Sequence, residues 1–331
     1  MINEEETLQL QTALESLPQA IEVILYKTED SEFGRQLVSF VYAICSISEG
    51  KLKVLEGTTE AASPASPCFR ISKGEQGNVT YAVVPLGHQL APFLQALRMA
   101  AERYSLPFES SLKHDQIGSP AEIWVLVSSE CPRCPKAVEA AVALSYQHPL
   151  VSLFIIDALQ FPALAQERGI KAVPATVIDQ QLALVGNISA SRLEELVRIR
   201  GTEKYSEELI RSYIETRRIG KGVDMLQHGD GRPAILSLMQ EPDLSTRMGA
   251  LLVLEETLDS YPTAIREMVP SLIGLLSHQD ARIRGDVADF LGRAGDPQAI
   301  PSLEDLTNDE DADVAEASAE ALELLRQQGN L

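Results

Sequence analysis

"SSECPRCPKAV", residues 128–138, places two cysteines three residues apart with a proline after each. Only two other cysteines, Cys45 and Cys68, occur in the 331 residues. A pair of this kind is a redox dithiol, half of a zinc site, or two core thiols that happen to be neighbours. The flanks discriminate. Ahead of the pair, "AEIWVLV" (121–127) is an apolar, β-branched run with the length of a buried strand. Behind it, "PKAVEAAVALSYQ" (135–147) sets Ala, Val and Leu at helical spacing without a glycine. The cysteines therefore fall where a strand turns into a helix. There the free N–H groups of the first turn and the helix dipole stabilise a thiolate on Cys131. Pro132 suits a helix start, which tolerates a residue with no N–H. Cys131 is expected to be the exposed, attacking sulfur and Cys134, one turn inward, the resolving one.

A structural zinc site takes about four ligands, commonly from a second Cys or His pair at close spacing. His88, His114, His148, His228 and His278 are scattered singly, so no metal is expected. Further along, "LVSLFIIDAL" (150–159) reads as a strand and "FPALAQERGI" (161–170) as a short helix ending at Gly169. "KAVPATVID" (171–179) and "LALVG" (182–186) read as strands, and "SASRLEELVRI" (189–199) as a helix behind a Ser cap. The predicted order is β, α, β, α, β, β, α. A proline is tolerated at the entry of a strand, where a cis bond is common in a tight approach.

Strand, Cys-Pro-x-Cys, helix and then a Val-Pro strand some forty residues on resemble the thioredoxin/glutaredoxin superfamily. The resemblance implies a cis-proline beside the active disulfide, preceded by a residue whose backbone meets a partner's extended chain. Cys131, Cys134, Val173 and Pro174 map onto those roles, with Pro132 and Arg133 supporting the pair. Proline directly after the first cysteine is closer to glutaredoxin-like proteins than to thioredoxins. Beyond the redox-active disulfide, no cofactor is implied.

The first hundred residues repeat the second. "IEVILYKTEDSEFGRQLV" (21–38) lies on "AEIWVLVSSECPRCPKAV" (121–138) without a gap, so Ser31 falls at Cys131 and Gly34 at Cys134. "SPCFRIS" (66–72) parallels "VPATVID", with Pro67 opposite Pro174, and "VTYAVVPLGHQLAPFLQALRMAAE" (79–102) supplies a closing strand and helix. Ser31, Gly34 and Pro67 thus read as a vestigial site. Tandem folds with one working centre are similar to the glutaredoxin-like protein disulfide oxidoreductases. They are also similar to the N-terminal domain of the alkyl hydroperoxide reductase flavoprotein. That flavoprotein continues into FAD- and NADH-binding domains, whereas "GDGRPA" (229–234) here follows a helical stretch and fails as a dinucleotide loop. An external reductase or thiol is therefore implied. Cys45 lies in an apolar helical run and reads as a buried hydrophobe. Cys68 is expected to be half-exposed at the vestigial site, and a Cys45–Cys68 disulfide stays open.

Past Gly201 the strands stop. "PAILSL" from Pro233, "PSLIGL" from Pro270 and "PSLEDL" from Pro301 are each followed ten residues later by an aspartate: Asp243, Asp280 and Asp311. Each is followed twenty-one residues later by a leucine: Leu254, Leu291 and Leu322. Each unit reads as a helix opened by proline, an Asp-capped turn and a second helix, and "DARIRGDVADFLG" (280–292) is similar to half of a HEAT repeat. Residues 202–228 look helical and join or cap the array. The expected fold is α/β, with tandem thioredoxin-like folds over 1–110 (lacking the Cys-x-x-Cys) and 111–201 (carrying it). An all-α HEAT-like solenoid follows over 202–331.

Formal net charge is −20, and residues 221–331 hold 21 Asp and Glu against 8 Lys and Arg. So acidic a surface repels phosphate backbones and anionic lipid, which argues against nucleic acid and membrane partners. It attracts a basic protein or merely aids solubility. No run reaches the ~18 apolar residues of a membrane span, and "MINEEETLQLQ" lacks the basic start of a secretory signal, so a cytoplasmic location is expected. The leading expectation is a dithiol–disulfide oxidoreductase acting on a protein client that the helical array recruits. A redox-switched binding adapter and an electron-transfer adapter to a peroxiredoxin are the alternatives, and a homodimer is compatible with each.

Overall fold

The computed structural model describes residues 2–27, 31–58, 63–73, 76–103 and 117–329. The expected line between the tandem halves, near residue 110, and His114 lie outside them. The chain divides into two compact units, Met1–Arg200 and Gly201–Leu331.

The first unit opens with helix α1 (Glu4–Glu15), which the sequence pattern does not announce. Asn3 and Glu6 close a capping box on it, but only Leu10 and Leu14 are buried, too thin a stripe to stand out. Then follow β1 (Ile21–Tyr26), α2 (Glu32–Ile47), β2 (Leu52–Glu56), β3 (Cys68–Lys73), β4 (Gln76–Ala82) and α3 (Leu90–Arg103). A short 3-10 turn, Gly87–Gln89, leads into α3. The second half of the unit contributes β5 (Ala121–Val127), α4 (Cys134–Gln147), β6 (Val151–Asp157) and α5 (Pro162–Gln166). It ends with β7 (Ala175–Ile178), β8 (Leu182–Val185) and α6 (Ala190–Arg198), the order expected from the sequence.

All eight strands form one sheet, ordered β2-β1-β3-β4-β6-β5-β7-β8. Each half repeats one pattern: β1 and β2 pair in parallel, β1 with β3 and β3 with β4 antiparallel, and β5 to β8 do the same. The halves join where β4 runs parallel to β6, with Val79 opposite Leu153 and Ala82 opposite Ile156. Central β5 is covered on both faces, so Ile123, Trp124, Val125, Leu126 and Val127 are all buried, which explains its unbroken apolar run. Edge strand β2 keeps only Leu52 buried.

The second unit is all helix: α7 (Glu203–Glu215), α8 (Ile219–His228), α9 (Arg232–Met239), α10 (Leu244–Ser260), α11 (Pro262–Leu275), α12 (Ala281–Ala294), α13 (Ile300–Leu306) and α14 (Ala312–Gly329). They stack as pairs on one apolar core that takes in Leu254, Leu291 and Leu322. Asp243 and Asp280 cap α10 and α12 through the N–H groups of Thr246 and Arg282, and Asp311 accepts from Asp313 and Val314. One expectation fails. Pro270 does not open a helix but lies inside α11, which begins eight residues earlier at Pro262. "GDGRPA" joins two helices, with Gly229 at φ 92 as the left-handed cap of α8. No helix among the described residues is long and apolar enough to cross a membrane.

Candidate functional site

Strand β5 delivers the chain at Val127 into the turn Ser128–Arg133, and α4 begins at Cys134. The turn closes on itself: Cys131 N–H donates to the Ser128 carbonyl (3.2 Å) and Cys134 N–H to the Cys131 carbonyl (3.3 Å). Arg133 is the N-cap, so the proline within the first helical turn is Pro135 and not Pro132, which belongs to the turn ahead of it. Pro132 and Arg133 are exposed, Cys131 is half-buried and Cys134 is fully buried.

Val173 and Pro174 come to the same place. The Val173–Pro174 peptide bond is cis, and the Cys131 thiol donates to the Val173 carbonyl at 3.7 Å. The two cysteines, Val173 and Pro174 are thus assembled from a turn and a strand entry 42 residues apart. All four cysteines are free, with no bridge between Cys131 and Cys134 or between Cys45 and Cys68.

The thiols differ in electrostatic setting. Burial pushes Cys134 up to about 12, aided by its hydrogen bond with Cys131 and opposed by the Ser128 N–H. Burial pushes Cys45 up to about 11. It raises Cys68 too, against a Ser63 hydrogen bond and the Arg70 charge. Three thiols are therefore held protonated, and Cys131 is the sulfur of the pair that a partner can reach. Nearby Asp157, paired with Val127 in the β5–β6 register, is raised by burial and stabilised by the N–H groups of Leu159 and Gln160. Among the described residues, no three His, Cys, Asp or Glu side chains gather as a metal site.

The matching positions of the first half also form a helix start. Ser31 is the N-cap of α2, and its hydroxyl accepts from Gly34 N–H at 2.9 Å. A hydroxyl thus occupies the helix start where the other half has its dithiol turn. The Ser66–Pro67 bond is also cis. Cys68, expected to be half-exposed, is fully buried, because β3 pairs it with Tyr26 over an apolar cluster that also includes Ala65 and Trp124. Val173 and Phe161 pack against the same cluster, and Phe161 meets Phe33 of α2 edge-on at 5.6 Å.

One residue at the site has no counterpart among the sequence-based expectations. Gln89, buried in the turn before α3, donates from its side chain to the Ser128 carbonyl at 3.5 Å. Gly87, at φ 58 with its N–H on Glu6 of α1 (3.0 Å), brings that turn so close that a β-carbon there would sit 3.7 Å from the Ser129 carbonyl. The segment "PLGHQLAP" is visible in the sequence, but nothing in it points to a loop of the other half.

A sheet with this strand order, a Cys-Pro-Arg-Cys turn at a helix start and a cis-proline beside it define a thioredoxin-fold dithiol protein. Residues 121–198 match the thioredoxin domain family and residues 232–323 match HEAT repeats. The AhpF component of the alkyl hydroperoxide reductase of Staphylococcus epidermidis is 27% identical over 211 residues, 62% of this chain and 39% of that protein. The chain thus spans about two fifths of that curated relative. The tandem N-terminal domain of AhpF from Enterococcus faecalis superposes with a TM-score of 0.52 at 21% identity, covering 60% of this chain and all of that one. A protein disulfide oxidoreductase from Aeropyrum pernix K1 superposes at 0.50 with 17% identity, covering 60% and 93%.

Proposed function

We propose that the protein is a thiol–disulfide oxidoreductase that exchanges the Cys131–Cys134 dithiol with the disulfide of a protein partner. The Cys131 thiolate attacks one partner sulfur, forming a mixed disulfide and releasing the other as a thiolate that takes up a proton. Cys134 then gives up its proton and attacks the Cys131 sulfur, which frees the second partner thiol and leaves Cys131 and Cys134 oxidised. Two electrons and two protons pass to the partner, and an external dithiol restores the pair. The observation that carries this reading is the half-buried Cys131 on the Val173 carbonyl, with its resolving thiol buried and protonated beneath it. Nothing beyond the redox-active disulfide is needed as cofactor, and the setting proposed is the reducing cytoplasm.

The HEAT repeats recruit the partner in this reading. A second reading, transfer of electrons to a peroxiredoxin, is favoured by the similarity of the first unit to the AhpF components of alkyl hydroperoxide reductases.

Insulin reduction with dithiothreitol as reductant tests the chemistry. Cys131→Ser is expected to abolish it, and the double change Cys45→Ser with Cys68→Ser to leave it largely intact. Full turnover in the Cys131 variant would overturn the proposal. A Cys134→Ser protein is expected to trap clients as mixed disulfides on Cys131, and recovery of a peroxiredoxin among them selects the second reading.

A further inference from the structure

Helices α10, α12 and α14, the second members of successive pairs in the C-terminal unit, line a groove of about 790 Å³. One wall is a stripe on α10. Leu244, Met248 and Leu252, four residues apart, are 59, 42 and 41% exposed. They are the large hydrophobic side chains of residues 201–329 exposed to that degree, among the described residues, and all three fall in this groove. Buried Leu251 and Val314 continue the apolar surface, and Ala281, Gly285 and Ala317 keep the opposite wall low. Scattered exposed leucines need no explanation, but a contiguous stripe in a concavity marks an interaction surface.

The charges of the groove have one sign left over. Arg247 is held by Asp286 at 3.0 Å and Arg282 by Asp280 at 2.7 Å. Arg293 is shared by Glu255 at 2.6 Å and Asp289 at 2.8 Å. Every arginine in the lining is therefore already neutralised within the chain. Asp311 and Asp313 line the same groove: Asp311 caps α14 through the N–H groups of Asp313 and Val314 and feels the Arg284 charge, while Asp313 stands exposed in the first turn of that helix. With 21 acids against 8 bases over residues 221–331, the field at the groove is negative.

We propose that this groove is the docking site for a cationic amphipathic segment of a partner protein. Two or three of its apolar side chains seat against Leu244, Met248 and Leu252, and its Lys or Arg residues lie at the Asp311–Asp313 end. Anionic lipid and nucleic acid would meet the wrong sign of charge, and an uncharged apolar segment would leave the Asp313 carboxylate unanswered. The proposal rests on the reading of the HEAT repeats as the recruiting part of the molecule and gives that part a site and a ligand chemistry.

The probe is a short fluorescent peptide with leucines at helical spacing and lysines between them, titrated into the full-length Cys131→Ser protein. Controls carry the same residues scrambled, or glutamate in place of lysine. Saturable binding of the first peptide alone is expected, weakening as salt screens the aspartates. Leu252→Glu and Met248→Glu are each expected to weaken it about tenfold or more. Asp313→Asn, outside the apolar stripe and leaving the Asp313 N–H on Asp311 in place, is expected to weaken it severalfold with the fold unchanged. Equal binding of the scrambled or acidic peptide, or indifference to Leu252→Glu, overturns the proposal. So does a dimer of the unliganded chain that Leu252→Glu dissociates, because the groove would then belong to a second copy. Attaching the peptide to a disulfide substrate of the wild-type protein separates this site from the recruitment reading. Binding without faster reduction keeps the groove and removes recruitment, whereas loss of binding with insulin reduction intact removes the groove alone.

Discussion

The Ser128 carbonyl accepts from the Cys131 N–H and from the Gln89 side chain, so the half lacking a Cys-x-x-Cys holds the turn of the half that has one. Gln89→Leu removes one of the two donors and also the Gln89 carbonyl oxygen, which is buried without a partner. These opposing terms leave stability within about 1 kcal/mol of wild type. The loosened turn is expected to slow insulin reduction about three- to tenfold, measured as kcat beside a urea unfolding curve. An unchanged kcat would show that the contact has no bearing on the turn. The buried thiols make a second prediction, in pH. In the unfolded chain a thiol ionises near about 8.5, whereas folding holds Cys45 at about 11 and Cys134 at about 12. Above the unfolded value the unfolded chain has lost protons that the folded chain keeps, so the thiol contribution is complete below that value and declines as pH climbs towards the folded values. The urea midpoint of the reduced protein is expected to be level through neutral pH and to fall in the alkaline range. Cys45→Ala should shallow that fall, and a midpoint insensitive to alkali would contradict the burial argument.

Two glycines of the helical unit look alike in the sequence and differ in packing. A β-carbon on Gly292 of α12 would lie 2.6 Å from the Ala321 Cα of α14, a backbone atom that cannot move aside. Gly292→Ala is expected to destabilise by about 1–3 kcal/mol. An added β-carbon on Gly274 of α11 meets nothing within 4 Å, and Gly274→Ala is expected to stabilise by about 0.5–1 kcal/mol. Thermal unfolding of the two variants checks both signs, and equal shifts would refute the packing account. The same contrast separates what is legible in the sequence from what is not. Strand and helix periods, the Asp caps and the in-register repeat from β1 to β5 are local signals, and they suffice to place Cys131, Cys134, Val173 and Pro174. Pro270 misleads because proline is at home in a first helical turn, and only the packing of Ile265 and Met268 shows that α11 is already under way there. Gln89 and Ser128 lie 39 residues apart in different halves, so no local signal joins them.

Over the whole molecule, the first unit is closed at its last residue. Arg200 donates to the carbonyls of Ser119 and Pro120 and pairs with Asp179 at 2.8 Å. A chain ending at Gly201 keeps this clasp and all eight strands, so it is expected to fold and to retain insulin reduction within about twofold, since a solenoid supports its neighbours only through direct interfaces. Circular dichroism and turnover on the fragment measure this. Loss of the fold on truncation would assign the helical unit a structural duty instead. Shortening the chain by two further residues, to remove Arg200 as well as Gly201, is expected to lower the fragment's melting temperature.

The seam between β4 and β6 bears on a hazard apart from redox chemistry. Strand β6 is buried at every position but Ser152, and β4 pairs with it from Leu153 to Ile156 along one side. A redox half made without residues 1–110 would present that apolar strand as a bare edge, ready to template pairing with another chain. The half that has no dithiol thus covers an edge that would otherwise be open to pairing. A fragment lacking it is expected to be recovered as insoluble protein before any loss of insulin reduction can be read.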